Sequence, residues 1–289
     1  MSGAIGVIGG SGLYQLEGLE GIERVELSTP FGAPSDAYVT GTLAGRRMVF
    51  LPRHGVGHRI LPHEINFRAN LWGMKKLGVD RVLSVSAVGS MREEIAPGHL
   101  VMVDQFIDLT RRRPSTFYGE GVAVHVPFAE PVCGLLGAEL TGAGRAVGAT
   151  VHASGTYLCI DGPQFSTRAE SLLYRQWGVS VIGMTNMPEA KLAREAELCY
   201  ASIALATDYD CWHAVEESVS VEAVLKVLSA NVARARALIE TYVRSAPERS
   251  PCTHCTRAVR TSLMTAPERI PARVREDLDP IFSAFLPRA

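Results

Sequence analysis

Residues 179–210, VSVIGMTNMPEAKLAREAELCYASIALATDYD, carry two apolar runs separated by a helical pattern. Val179–Met184 and Ser202–Thr207 are short, apolar and bounded by polar residues, which is the signature of buried strands. Between them Glu189–Leu198 places apolar residues at helical spacing. The same alternation extends toward the N-terminus. Ile5–Ile8, Met48–Leu51, Val82–Ala87, Leu100–Ile107 and Tyr157–Ile160 read as strands, and Ile65–Leu77, Pro131–Ala146 and Thr167–Trp177 as helices. Thr167 with Glu170 makes a capping box at the start of the last of these. Parallel neighbours need long crossovers that helices supply, so the fold class is α/β: a single domain with a mixed, mostly parallel sheet flanked by helices.

The helical pattern resumes from Val221 to about Val243 and gives way at Ser245–Pro251 (SAPERSP), which is polar and bears proline. The main domain is therefore expected over 1–246, followed by a C-terminal extension, 247–289, that contains Cys252-x-x-Cys255. Apolar residues of Leu278–Leu286 are placed to pack on the body or on another subunit.

Twenty-nine Lys plus Arg against 30 Asp plus Glu leave no electrostatic footprint for nucleic acid or an anionic membrane. A hydrophobic fraction of 47% is enough for a sizeable core, and no apolar run approaches the roughly 18 residues of a spanning helix. These features point to a cytoplasmic protein acting on a small molecule. Cys133, Cys159, Cys199 and Cys211 sit among apolar or aromatic neighbours and read as reduced core thiols.

Several segments at strand ends can carry chemistry. Gly9-Gly10-Ser11-Gly12 follows the first strand, where glycines let the backbone approach an anion and Ser11 adds a hydroxyl. It is neither a P-loop nor a dinucleotide fingerprint. Arg53-His54-Gly55 follows the second strand, Arg53 offering a fork of donors for phosphate and His54 a further donor. Ser84–Ser90 runs into small residues that bring backbone N–H groups close to a ligand. Phe165, in DGPQFSTRAES, offers a face on which a flat heterocycle can stack. Asp208 and Asp210 end the last strand at i and i+2, a spacing that in extended backbone puts both carboxylates on one face as acid and acceptor. Asp-x-Asp with His213 as the one further ligand type close by is a weak metal motif, and no metal site is assigned.

Together the segments IGGSGL, TPFGAPSDA, RHGVGH, REEIAPG, DQFIDLT, DGPQFSTRAES, GMTNMPE and ATDYDCW, over about residues 4–243, resemble the trimeric purine nucleoside phosphorylase family, and more closely its methylthioadenosine phosphorylase branch. The resemblance implies that phosphate is held by Ser11, Arg53, His54, Ser86, Thr185 and the backbone N–H of Ala87. It implies that Met184 contacts the ribose, that Phe165, Ser166, Asp208 and Asp210 face the purine, and that Val221, Val224 and Leu225 line the 5' pocket. His125 would reach in from a neighbouring subunit of a homotrimer or dimer of trimers. The implied reaction is phosphorolysis of 5'-methylthioadenosine in purine and methionine salvage, with phosphate as co-substrate and no cofactor. Cleaving the N-glycosidic bond builds positive charge on the ribose and negative charge on the base, so phosphate serves the first and a protonated Asp208, its pKa raised by burial and by Asp210, the second.

The 6-oxopurine enzymes of that family resemble this chain but carry Glu where Ser166 stands and Asn where Asp208 stands, so the pair here favours adenine over a 6-oxopurine nucleoside or methylthioinosine. A non-catalytic nucleoside-binding module on the same fold is the other alternative, and the set of Arg53, His54, Thr185 and Asp208 argues against it. Ser11 and Ser86 stand where many relatives have Thr, which keeps the hydroxyl, and Val88 replaces a common Cys. The larger departure is Cys252-Thr-His-Cys255. It can form a disulfide or bind a metal, for which His254 is the nearest further ligand type, or its thiols can stay free in a mobile tail.

Overall fold

The computed structural model describes residues 3–213, 221–247, 252–283 and 285–286, with the side chains of Ser11, Tyr14 and residues 221–226 outside that description. In chain order the elements are β1 (Ala4–Gly9), β2 (Glu20–Val25), β3 (Tyr38–Leu43), β4 (Arg46–Pro52), α1 (Phe67–Lys76), β5 (Val79–Ser90), β6 (Leu100–Val103), β7 (Gln105–Asp108), α2 (Gly134–Ala146), β8 (Val151–His152), β9 (Thr156–Cys159), α3 (Arg168–Gln176), β10 (Val181–Gly183), α4 (Glu189–Glu195), β11 (Cys199–Asp208), α5 (Val221–Ser245), α6 (Ala272–Asp277) and α7 (Asp279–Phe282).

The eleven strands form one sheet in which six of the ten ladders are parallel. Strand β5 is its centre. β1 pairs with it in parallel through Ser84, β11 pairs in parallel along Arg81–Gly89, and β10 pairs antiparallel at Gly89 and Ser90. The β1 ladder stops at Ser84 and the β10 ladder starts at Gly89, so Val85–Val88 have a strand neighbour on the β11 side only. That gap in a central strand frees backbone groups at the carboxyl end of the sheet, where open α/β folds bind ligands.

Three differences from the sequence reading have physical causes. Leu100–Ile107 is two strands, β6 and β7, because the chain leaves the β11 edge at Asp104 and joins β9 instead. β2 and β3 carry weak apolar patterning and were not expected as strands; β2 is exposed along most of its length. The two runs flanking α4 lie oppositely to each other against β5, so that unit is not a parallel crossover.

Thr167 caps α3 as expected: its hydroxyl accepts from Glu170 N while Glu170 accepts from Thr167 N at 2.7 Å. Leu278, Ile281 and Phe282 of the C-terminal segment are buried in the same core as Trp72 and Leu71 of α1, and Trp72 Nε1 donates to the Asp277 carbonyl at 2.7 Å. The segment thus packs on the body of its own chain. Among the described residues no helix is long and apolar enough to cross a membrane.

Candidate active site

A cavity of about 480 Å³ opens at the carboxyl ends of β1, β4, β5, β10 and β11, a volume suited to one small ligand. Its floor is Val85–Gly89, which includes Val85–Val88, the stretch of β5 that lacks a neighbour on one edge. Ala87 is exposed in an otherwise buried strand because it opens into this space. The cavity gathers Arg53, His54, Ser86, Ala87, Phe165, Ser166, Met184, Thr185, Asp208 and Asp210 from segments far apart in sequence.

Arg53 is differently employed from the sequence reading. Its guanidinium is 2% exposed and its Nε–Nη2 fork is taken up by Glu189, at 2.8 and 3.0 Å. Nη2 also reaches Ser84 Oγ at 2.7 Å and Ile8 O at 3.2 Å, and Nη1 donates to Val85 O at 2.9 Å. Of the five N–H donors, one on Nη1 is left for an anion. Arg53 is therefore a fixed positive charge that offers a phosphate a single bond rather than a bidentate clamp. Burial opposes that charge, and the Glu189 carboxylate more than offsets it.

Glu189 is the largest omission from the sequence reading. It is fully buried at the start of α4 and also accepts from Ser84 Oγ at 2.6 Å and Tyr200 OH at 3.0 Å. Asn186 extends the network, donating to Tyr200 OH at 2.7 Å and accepting from Ser86 Oγ at 3.0 Å. The Ser86 hydroxyl hydrogen is thus directed at Asn186, and an anion at this position would have to compete for it. The signal was present in the GMTNMPE segment, but a glutamate opening a helix ordinarily reads as a solvent-facing dipole partner.

His54 also departs from its expected role as a donor. Its Nδ1 lies 2.9 Å from Ile60 O, which requires the hydrogen there, so Nε2 is an acceptor in the neutral ring. Burial pushes the imidazole down to about 4, with Arg53 adding to the effect, although the Ile60 bond resists it. The ring stacks on His58 at 4.2 Å between centroids. Donation from Nε2 needs a proton taken up with the anion.

At the other end of the cavity, Asp208 lies half-buried and Asp210 is 7% exposed. The two do not share a face by strand alternation, because the strand ends at Asp208 and Asp210 has φ of 52° at the start of a 3₁₀ turn. They converge because Asp210 N donates to Asp208 Oδ1 at 2.8 Å. Ser171 Oγ holds Asp210 Oδ2 at 2.5 Å, and burial raises the Asp210 carboxyl against that bond.

Thr207 Oγ1 lies 2.7 Å from Asp208 Oδ2 and 3.2 Å from Val88 O. One hydroxyl hydrogen serves both protonation states: it points to an ionised Asp208, or to Val88 O when a protonated Asp208 donates to it. Gly89 makes room for the pair. A Cβ there would stand 3.0 Å from Asp208 Oδ1 and 3.3 Å from Asp210 Cβ. Ser166 Oγ is buried beside the Asp210 carboxyl, whose ionised form it favours. Phe165 is 54% exposed at the rim.

Thr185 and Met184 join the two ends. Arg113 fixes them from behind, donating to Met184 O at 2.7 Å and Met187 O at 2.6 Å. Leu228 and Val232 of α5 complete the wall. The side chains of Val221, Val224 and Leu225, one to two turns earlier, lie outside the described residues, as does that of Ser11. His125 is exposed and does not line the cavity of its own chain.

Residues 4–244 match the phosphorylase superfamily. The S-methyl-5'-thioadenosine phosphorylase of Geobacter sulfurreducens is 58% identical, covering 99% of this chain and all of that one. The chain belongs to the S-methyl-5'-thioadenosine phosphorylase family. Two solved structures extend the comparison across the fold. The methylthioadenosine phosphorylase from an antarctic soil metagenomic library superposes with a TM-score of 0.91 at 44% identity, covering 99% of each chain. That of Schistosoma mansoni in complex with adenine gives 0.84 at 36%, covering 92% of this chain and all of that one. Membership in this family accords with a cavity that has buried donors at one end and paired carboxyls at the other.

Proposed function

We propose that the protein cleaves 5'-methylthioadenosine with inorganic phosphate, giving adenine and 5-methylthioribose 1-phosphate. The observation that carries this reading is the polarity of the cavity: Arg53, Ser86, Ala87 and Thr185 cluster at the β5 gap, while Ser166, Asp208 and Asp210 stand across from them. Phosphate lies under the ribose, near the fixed charge of Arg53, with Ser11 and His54 beside it and Met184 against the sugar. A phosphate oxygen forms a bond to C1' as the C1'–N9 bond breaks, and the bonding electrons pass to the purine. Asp208 delivers a proton to N7, and Asp210 and Ser166 bind the rest of the base edge, with Phe165 over its face. Thr207 supports both states of Asp208 by turning its hydrogen.

Phosphate is the co-substrate, and catalysis needs no cofactor. The apolar wall of Leu228 and Val232 supports a methylthio group at the 5' end, extended by Val221, Val224 and Leu225. His125, exposed on its own chain, completes a neighbour's pocket in a homotrimer or dimer of trimers. Exposed Leu172 and Leu173 on α3, with Trp177 at its C-cap, support such an assembly. The enzyme serves purine and methionine salvage in the cytoplasm.

The test is base release from methylthioadenosine, adenosine, methylthioinosine and inosine, each with and without phosphate. Phosphate-dependent adenine release, fastest from methylthioadenosine, is expected. Hypoxanthine release in its place would overturn the reading of Ser166 and Asp208.

A further inference from the structure

Four of the six cysteines converge far from the cavity described above. Cys133 precedes α2 as its N-cap, Cys199 opens β11, and Cys252 and Cys255 come from the C-terminal segment. Their sulfurs all lie within 4.8 Å of one another. Cys133 Sγ stands 3.6 Å and Cys199 Sγ 3.9 Å from Cys252 Sγ. Zinc–thiolate bonds of about 2.3 Å in a tetrahedron separate sulfurs by about 3.8 Å, whereas a disulfide brings them to about 2.0 Å. The sequence offers only His254 beside the Cys-x-x-Cys pair; the fold supplies Cys133 and Cys199, 119 and 53 residues before Cys252.

We propose that Cys133, Cys199, Cys252 and Cys255 form a closed, structural tetrathiolate zinc site that fastens the C-terminal segment to the body of the chain. The surroundings suit thiolates. Cys133, Cys199 and Cys255 are buried in one apolar cluster that excludes water, with Cys252 packed against it. The Cys255 N–H points to Cys252 Sγ at 3.4 Å, and the turn is closed by Cys255 N and Thr256 N, each 3.1 Å from Cys252 O. As the N-cap of α2, Cys133 places its sulfur at the positive end of a thirteen-residue helix. Each thiol gives up its proton on ligation, so binding tightens as pH rises.

The staple also positions the chain beyond it. Residues 259–265 run back along the body: Val259 N donates to Glu197 Oε1 at 3.0 Å, Met264 N to Ala123 O at 2.9 Å, and His125 N to Ser262 O at 3.1 Å. The segment that carries His125 is therefore held by residues just beyond the site. The same site anchors the first residue of β11, whose last residue is Asp208.

The experiment uses the full chain, purified with a reductant and without chelator. Metal analysis should give one zinc per chain, released in step with thiol titration by a mercurial. Cobalt exchanged into the protein should show the visible bands of a tetrahedral thiolate. Cys252→Ser should lose the metal and melt at a lower temperature while keeping its phosphate KM, and Cys252→His should restore metal binding. Because metal content is read first on the unaltered protein, poor folding of a variant leaves the proposal testable. Zinc-supplemented protein without bound metal, a mass lowered by the hydrogens of two disulfides, or metal retained in Cys252→Ser would each overturn it.

Discussion

Replacing Glu189 with Gln tests the claim that Arg53 is a held charge rather than a free clamp. Four donors converge on this carboxylate: Arg53 Nε and Nη2, Ser84 Oγ and Tyr200 OH, at 2.6 to 3.0 Å. Glutamine keeps the shape but offers one acceptor oxygen and turns an N–H₂ toward the remaining donors, while the guanidinium loses its counter-charge. With side chains 2% and 0% exposed, the pair belongs with buried ion pairs, where removing one partner costs about 3–5 kcal/mol. For a chain of this size each kcal/mol lowers Tm by roughly 2–4 °C, so a fall on the order of 10 °C is expected in calorimetry at fixed scan rate and protein concentration. Phosphate should offset part of that loss, because a bound anion replaces the missing charge, and the shift produced by saturating phosphate should exceed that of the parent. In steady-state assays the KM for phosphate should rise more than that for the nucleoside. A variant that melts with the parent, or that weakens the nucleoside alone, refutes the argument.

The other predictions concern the two ends of the cavity. Asp208→Asn should lower kcat by roughly a hundredfold to ten-thousandfold, the range of a lost general acid, with the phosphate KM nearly unchanged; a change confined to KM would take Asp208 out of the proton transfer. Gly89→Ala puts a Cβ 3.0 Å from Asp208 Oδ1 and 3.1 Å from Ile182 Cγ2, so kcat/KM for the nucleoside should drop on the order of a hundredfold, and a variant of parental activity would show that the carboxyl tolerates displacement. The depressed His54 makes stability fall as pH drops from the imidazole's ordinary 6.5 through about 4. That contribution is fully present above 6.5 and, discounted for the ring's partial exposure, is worth about 1–2 kcal/mol. Urea melts at pH 7 and pH 4.5 should show the loss in the parent and less of it in His54→Asn; equal losses in both would place the effect elsewhere.

The parts legible in the sequence were those whose periodicity or punctuation is local. The strands β1, β4, β5, β9, β10 and β11 and the helices α1 to α5 announce themselves by apolar runs, a capping box at Thr167, and glycine or proline at their ends. β2 escaped because an exposed edge strand needs no buried face, and β3, although buried, because Thr40, Gly41 and Thr42 interrupt its apolar run. Candidate cavity residues were found because strand-end loops carry Ser, Arg, Asp and aromatic residues in recognisable strings. Their employment was not, because it depends on pairings between distant segments. Arg53 meets Glu189 across 136 residues, and His54 points its donor at Ile60 because of how the loop folds back. Even the two aspartates converge by a left-handed turn at Asp210 rather than by strand alternation.

The cysteines make the same point in the other direction. Read along the chain, Cys133 and Cys199 are core thiols among apolar neighbours, and burial alone is the commonest reason for such a residue. Their significance rests on which end of their elements they occupy. Cys199 begins the strand that Asp208 ends, and Cys133 N, bonded to Tyr200 O at 2.8 Å, ties the entry of α2 to that same strand. A thiol cluster beneath the amino end of β11 and a catalytic cavity above its carboxyl end are thus two uses of one strand. The first fixes where the strand starts and draws in the C-terminal segment. The second depends on that start, because the register of β11 against β5, with the shift of one residue after Ala206, sets Asp208 opposite Gly89. A slip at Cys199 would carry the carboxyl away from the one residue small enough to face it.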